Sequence, residues 1–283
     1  MRSVSRVTGA DKGTVARVIL GFGEASRNFL DERLRNLTLR HVEVDEIWTF
    51  VQKKQARLTT EERAERHDIG DVYLWTSIDQ DTKLLANYVI GKRSADMARR
   101  LMIDLRNRLV MPNAHASDAH NFESGGYRPI VQISTDGFAA YPEAVDLAFG
   151  PYVRYGRIIK EYRNANMPYT PSEMVGTERR GIIGIEPNDE RSICTSHVER
   201  HNLTIRTFMR RFTRLSLGFS KKLECLAASV AMFAAYYNFT WRTRHTDYSG
   251  QAGRKRPTAA MMAKVTDHLW SFDELYNNVI YYG

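Results

Sequence analysis

Apolar and polar residues alternate from residue 41 to residue 51, which is the period-two pattern of a β-strand. Val44 and Trp48 fall on one side of this predicted strand, and Ile47 and Val51 fall on the other. A strand with apolar residues on both sides is typical of the centre of a sheet that is covered on both faces. We therefore predict a central strand here.

The rest of the chain mixes strand and helix patterns. Two strands joined at residues 79–82 form a predicted hairpin, and an amphipathic helix with Ser94 as its cap follows. Mixed strands and helices predict an α/β fold, in which a mixed sheet is flanked by helices. The strands are predicted at 72–78, 84–90, 130–135 and 152–160, the helices at 94–109, 142–149, 195–215 and 220–240, and a polar insertion at about 161–192.

The N-terminus has the pattern of a helix-turn-helix, with a turn near Gly9. The spacing of four aliphatic residues predicts a shared core, and three polar residues would face outward, where a recognition helix contacts DNA. A stable unit of this kind needs a third helix, so either the gene is truncated here or another part of the protein covers that face. The core residues are Val4, Val7, Val15 and Ile19, and the DNA-facing residues are Lys12, Thr14 and Arg17.

Composition narrows the functional classes. The chain has 283 residues and a formal net charge of +8, which favours a polyanionic partner such as nucleic acid. Two cysteines are too few for a disulfide framework or a four-cysteine zinc ribbon. The longest apolar run, at 225–237, is shorter than the roughly 20 residues that cross a bilayer, and the N-terminus lacks a secretory pattern. We expect a cytoplasmic protein without a membrane partner.

Three acidic residues are candidates for chemistry. Asp45 interrupts the apolar pattern of the central strand, where a carboxylate is costly unless it is paired or binds a metal. Asp136 follows a later strand, and strand ends line the functional crevice of open α/β sheets. Glu199 lies on the predicted helix 195–215. Taken singly, Asp45 could instead be salt-bridged and Asp136 could instead cap a turn.

Helical phasing separates two faces of the Glu199 helix. At about 100° per residue, Arg206 and Arg210 fall within about 20° of Glu199, and the apolar residues occupy a separate arc. A solvated charged face is the usual alternative, but this stripe has no interleaved acid and repels itself unless a polyanion is present. The candidate DNA-binding residues are Arg200, Arg206, Arg210, Arg211, Arg214, Lys221 and Lys222.

These features suit metal-dependent cleavage of a phosphodiester. Two Mg²⁺ ions about 3.5–4 Å apart stabilise the attacking and leaving oxygens, and carboxylates are their preferred ligands. Asp45 is the natural bridging ligand, and Mn²⁺ is an expected substitute. A zinc hydrolase is the competing hypothesis, because His197 and His201 have i, i+4 spacing. Glu199, however, lies about 160° from each histidine around the helix and cannot serve the same ion.

Several sequence blocks resemble insertion-sequence DDE transposases, specifically the family named for insertion sequence one. The resemblance covers nearly the whole chain, and its most specific block runs from residue 195 to residue 222. Further blocks are Val44-Asp-Glu-Ile-Trp-Thr-Phe50, residues 71–83, Gly91-Lys-Arg93, Thr135-Asp-Gly137 with Tyr141, Tyr236-Tyr-Asn-Phe239 and residues 270–275.

The resemblance implies an RNase H-like catalytic fold with Asp45, Asp136 and Glu199 as its metal-binding triad. We predict a partial helix-turn-helix DNA-binding region at 1–38, a catalytic domain at 39–218 that contains the insertion, and a C-terminal helical region at 219–283. The expected activity is DNA cleavage and strand transfer, on double-stranded element ends and target DNA, by a homo-oligomer bound to the nucleoid. A catalytically inactive DNA-binding regulator and a stand-alone nuclease are the alternatives.

Overall fold

The computed structural model describes residues 2–111, 131–163, 173–213, 216–242 and 256–283, and within them six strands form one mixed sheet. The strands are β1 (His41–Val51), β2 (Gly70–Asp79), β3 (Leu85–Gly91), β4 (Val131–Thr135), β5 (Val153–Arg163) and β6 (Glu173–Ile183). Their order across the sheet is β3-β2-β1-β4-β5-β6. The predicted α/β class is confirmed, and β1 lies in the interior of the sheet.

The described helices flank this sheet. They are α1 (Arg2–Thr8), α2 (Lys12–Arg33), α3 (Thr60–Glu65), α4 (Ala95–Arg108), α5 (Tyr141–Phe149), α6 (Ser196–Phe208), α7 (Leu223–Phe239), α8 (Ala259–Met262) and α9 (Phe272–Ile280). Ser94 caps α4 as predicted, because its side chain accepts a hydrogen bond from the Met97 N–H. No helix among the described residues is both long and apolar enough to cross a bilayer.

The pairing of β1 creates a gap beside its second half. β1 runs antiparallel to β2 along almost its whole length, whereas its parallel pairing with β4 stops at Val44 opposite Thr135. β1 therefore continues past the end of β4. Asp45 and the residues after it border the space into which Asp136 projects, since Asp136 directly follows β4.

The two chain ends pack together on one side of the molecule. α2 contacts α7 and α9. The crossing with α7 is close at Gly23, where an added Cβ would lie 2.4 Å from the Ala228 Cβ. Phe29 of α2 is fully buried against Phe239 and Trp270. The N-terminal region thus shares a core with the C-terminal helices.

The predicted N-terminal helices are present, with a turn at Gly9 (φ 72°), but their predicted shared core is wrong. Val4 is 47% and Val7 86% exposed, and α1 buries no residue. Val15, by contrast, is buried. The spacing of aliphatic residues gave a wrong prediction because α2 buries its side chains against helices distant in the chain. α1 therefore has little surface to pack on. The predicted DNA-facing residues Lys12, Thr14 and Arg17 are exposed.

Two further boundaries differ from the sequence prediction. The helix predicted to reach residue 215 ends at Phe208 and is followed by a 3₁₀ turn at Arg210–Phe212. Arg210 therefore does not continue the face of Glu199, and Arg214 lies outside the described residues. The predicted insertion contains strand β6, which pairs antiparallel with β5. Its glycines and charges concealed a strand at the edge of the sheet.

Candidate active site

Three carboxylates meet where β1 passes the end of β4. One oxygen from each of Asp45, Glu46 and Asp136 lies within 4.8 Å of the others. Asp45 and Glu46 are consecutive in a strand and so leave the sheet in opposite directions. They converge with Asp136 because β4 ends there and leaves no neighbouring strand between them. The predicted meeting of Asp45 with Asp136 is present, and Glu46 joins it.

Asp45 is the most electrostatically strained member of this cluster. Its Oδ2 accepts a hydrogen bond from Asn202 Nδ2 of α6 at 2.8 Å, and its Oδ1 accepts one from the Glu46 N–H. Burial raises the pKa of Asp45 to about 7, and the negative charges of Glu46, Asp136 and Glu199 add to this effect. An additional positive charge at this place would stabilise the ionised carboxylate.

Glu46 is a site residue that the sequence prediction missed. Its side chain is only 4% exposed, accepts hydrogen bonds from Arg93 Nε at 2.5 Å and Tyr141 Oη at 2.8 Å, and lies on the opposite side of β1 from Asn202. Burial raises the pKa of Glu46, and Asp136 adds to the rise while Arg93 opposes it. Two adjacent acids within an apolar strand pattern were the available indication.

Arg93 connects two of the three carboxylates. Besides its bond to Glu46, its Nη2 lies 3.7 Å from Asp136 Oδ2. Its guanidinium carbon lies 4.4 Å from the ring centroid of Phe138, so the side chain is fixed from two directions. Asp136 also accepts a hydrogen bond from the Phe138 N–H at 2.9 Å, within the turn that follows β4.

Glu199 enters the same cavity from α6, on a different wall. Its Oε1 accepts a hydrogen bond from Thr195 Oγ1 at 2.9 Å and forms an ion pair with Lys160 of β5. It lies outside the tight group of three carboxylates but is close enough to raise the pKa of Asp45. The three acids predicted from the sequence thus line one cavity. The ion pair with Lys160 holds Glu199 at a different wall of this cavity from Asp45 and Asp136.

The cavity is open and polar, with a volume of about 830 Å³. Cationic side chains surround the carboxylates: Arg93 on one side, Lys160 on β5 and Arg206 on α6. The cavity thus combines a group of carboxylates with a cationic rim. The residues that line the cavity are Asp45, Glu46, Arg93, Asp136, Gly137, Phe138, Ala139, Ile158, Ile159, Lys160, Thr195, Glu199, Asn202 and Arg206.

A buried carboxylate outside this cavity positions the helix that carries Glu199. Glu43 is 1% exposed, and its Oε2 accepts hydrogen bonds from the N–H groups of His197 and Val198 at 2.8 and 2.9 Å. These groups belong to the first turn of α6, whose N–H groups have no acceptor within the helix. Burial alone would raise the pKa of Glu43, but its hydrogen bonds from His197 and Val198 outweigh burial and lower it.

The two histidines of the zinc hypothesis lie in separate environments. His197 Nδ1 is 2.6 Å from Glu43 Oε1, and hydrogen bonds with Cys194 and Glu43 raise the pKa of His197 to about 9. His201 is buried against Tyr237, and burial lowers its pKa to about 3. Among the described residues, His197 groups with Glu43 and Cys194 as possible metal ligands, and His201 belongs to no such group. The two do not form a shared zinc site.

The predicted DNA-binding residues are distributed over several surfaces. Arg206 lines the acidic cavity, whereas Arg211 donates a hydrogen bond to Ser220 Oγ at 2.6 Å and lines a different groove. Arg200, Arg210, Lys221 and Lys222 are exposed. No protein-family model matches the chain, and no curated protein shows significant similarity to it.

Proposed function

We propose that this protein is a DDE transposase that cleaves DNA and joins the cleaved end to a target, with divalent metal at the acidic cavity. One observation carries the proposal: carboxylates from distant parts of the chain share a cavity whose rim is cationic. Asp45, Asp136 and Glu199 enter it from β1, the end of β4 and α6. The mixed sheet with flanking helices supports an RNase H-like fold for this domain.

The residues present fit hard divalent cations. The donors are carboxylate oxygens, which Mg²⁺ and Mn²⁺ prefer. Burial and the negative charges of Glu46 and Asp136 raise the pKa of Asp45, and a bound cation would offset both effects. Asp45, Glu46 and Asp136 would hold the metal, and Glu199 would join them by releasing Lys160. When bound, the ions supply a nucleophile at neutral pH and stabilise charge on the attacking and leaving oxygens.

The remaining side chains of the cavity bind and orient. Asn202 directs the Asp45 carboxylate, and Arg93 fixes Glu46 relative to Asp136. Lys160 and Arg206, which line the cavity, would bind the phosphates on either side of the scissile bond. Strand transfer joins two DNA ends at one target, so the active form on DNA is proposed to be a homo-oligomer that binds double-stranded DNA.

A cleavage and strand-transfer assay tests the proposal. With a DNA duplex carrying the element ends, and with Mg²⁺ or Mn²⁺, we expect nicked and joined products. The variants Asp45→Asn, Asp136→Asn and Glu199→Gln should each lower the rate by about a thousandfold or more, because each removes a charged metal ligand. Asp146→Asn, an exposed acid on α5, is the matched control and should leave the rate unchanged.

The outcomes separate the candidate functions. Cleavage without joined products would identify a stand-alone nuclease. DNA binding without cleavage under either metal would identify a regulator and would contradict the proposed function. Cleavage that survives in the Asp45→Asn variant would reject the assigned site even if the activity is present.

A further inference from the structure

A second groove lies beside the acidic cavity, along the C-terminal half of β1. It has a volume of about 620 Å³. Trp48, Phe50 and Phe219 line it. Trp48 follows Glu46 by two residues on the same face of the strand, about 7 Å farther along it. On this face of β1, Trp48 of the groove is therefore the next side chain after Glu46 of the acidic cavity.

Three aromatic rings line this groove, and neighbouring rings contact each other. The ring centroids of Trp48 and Phe50 are 5.7 Å apart, and those of Phe50 and Phe219 are 4.8 Å apart in a stacked arrangement. All three side chains are half-buried, so part of each remains open to the groove. Rings exposed in this way offer flat surfaces on which another planar group can stack.

Cations surround the rings. Lys54 Nζ lies 5.7 Å from the ring centroid of Trp48, and Arg57 and Arg211 line the same groove. Lys53 also lines it and is paired with Glu62. Among the described residues that line the groove, none carries a carboxylate. The ligand that this surface complements is therefore both planar and anionic.

Hydrogen bonds join β1 and the residue after it to the part of the chain that follows α6 at this groove. Thr49 Oγ1 donates to the Arg211 carbonyl at 2.7 Å, and the Gln52 N–H donates to the Ser220 carbonyl at 2.8 Å. Arg211 Nη1 also donates a hydrogen bond to Ser220 Oγ at 2.6 Å. The groove is thus built into the fold before any ligand binds, which lowers the entropic cost of binding.

We propose that this groove binds unpaired nucleotides of a DNA strand next to the acidic cavity. Bases in a duplex are stacked on each other and cannot present their faces to Trp48, whereas unpaired bases can. Aromatic stacking combined with backbone-tracking cations is the general mode by which proteins bind single strands. The inference extends the proposed function, on which it rests for DNA as substrate, by specifying a single-stranded segment.

The test is binding of a fluorescent oligothymidine by anisotropy, in EDTA so that no metal-dependent step contributes. We expect the wild-type chain to bind it more tightly than a hairpin duplex of equal charge. Trp48→Ala should weaken single-strand binding about tenfold and abolish the preference, whereas Trp48→Phe should retain it. Trp241→Ala, a partly exposed tryptophan outside the groove, is the matched control.

One further variant keeps the result decisive. Lys54→Gln should weaken binding and reduce its salt dependence by about one charge, which tests the groove even if Trp48→Ala fails to fold. Equal affinity for single strand and duplex, or unchanged binding by both Trp48→Ala and Lys54→Gln, would overturn the inference. Binding is measured without metal, so a failure of cleavage alone would reject only the proposed function.

Discussion

Glu43 and Asp45 are two residues apart on the same strand and the same face, yet folding shifts their pKa values in opposite directions. Glu43 accepts two backbone hydrogen bonds and faces His197, and its pKa is lowered. Asp45 accepts one from a neutral amide and one from its own neighbour, among further carboxylates, and its pKa is raised to about 7. A buried charge with complete partners stabilises the fold, whereas one without them is available for binding a cation.

The largest expected difference between the two is in stability. Glu43→Gln should lower the free energy of unfolding by about 3 kcal/mol, because it removes a buried charge that accepts hydrogen bonds from the first turn of α6. Asp45→Asn should change it by less than about 1 kcal/mol or raise it, because an amide relieves repulsion. Urea unfolding followed by circular dichroism gives both values. Equal losses in the two variants would contradict the distinction.

His201 extends the same comparison to a base, because its imidazole is buried and no partner compensates for the lost hydration. Both of its ring nitrogens are buried without a hydrogen-bond partner, and its pKa falls to about 3. As the pH drops below about 6.5, the unfolded chain gains a proton here that the folded chain refuses, so stability falls with decreasing pH. Between pH 7 and pH 5 the loss attributable to His201 is about 2 kcal/mol.

The variant His201→Leu removes this titration. Its free energy of unfolding should depend on pH less steeply than that of the wild type over this interval, by the same amount. His67→Gln, a change at an exposed histidine, is the control. Parallel pH curves for wild type and His201→Leu would show that His201 is solvated or bonded in solution.

The smallest expected effect concerns metal binding at Asp45. A carboxyl group with a pKa near 7 must lose its proton to bind a cation. The affinity for Mn²⁺ should therefore rise by up to tenfold per pH unit below pH 7 and level off above it, as measured by electron paramagnetic resonance. In Asp45→Asn this dependence should disappear. A wild-type affinity that is constant from pH 5.5 to pH 7 would indicate that Asp45 is ionised throughout.

Local patterns predicted the central strand, the β2–β3 hairpin and the cap at Ser94, because each depends on a short stretch of chain. They also singled out Asp45, Asp136 and Glu199, whose acidic character stands out against strand or helix patterns. They failed where distant parts decide the outcome. α6 ends at Phe208, and beyond it the carbonyls of Arg211 and Ser220 accept hydrogen bonds from Thr49 and Gln52, which lie far away in the chain.

The sequence alone determined in which segments apolar and polar residues alternate, and which segments form amphipathic helices. It also determined which acids interrupt an apolar pattern. These properties depend only on residues close together in the chain. Only the tertiary structure decided that Glu46 turns toward Asp136 with Arg93 between them, and that Lys160 reaches Glu199. Only the tertiary structure gave Glu43 hydrogen-bond donors that lower its pKa and left Asp45 among other carboxylates. The reason is that the free energy of a buried charge depends on the dipoles and charges around it, and folding brings these from remote positions.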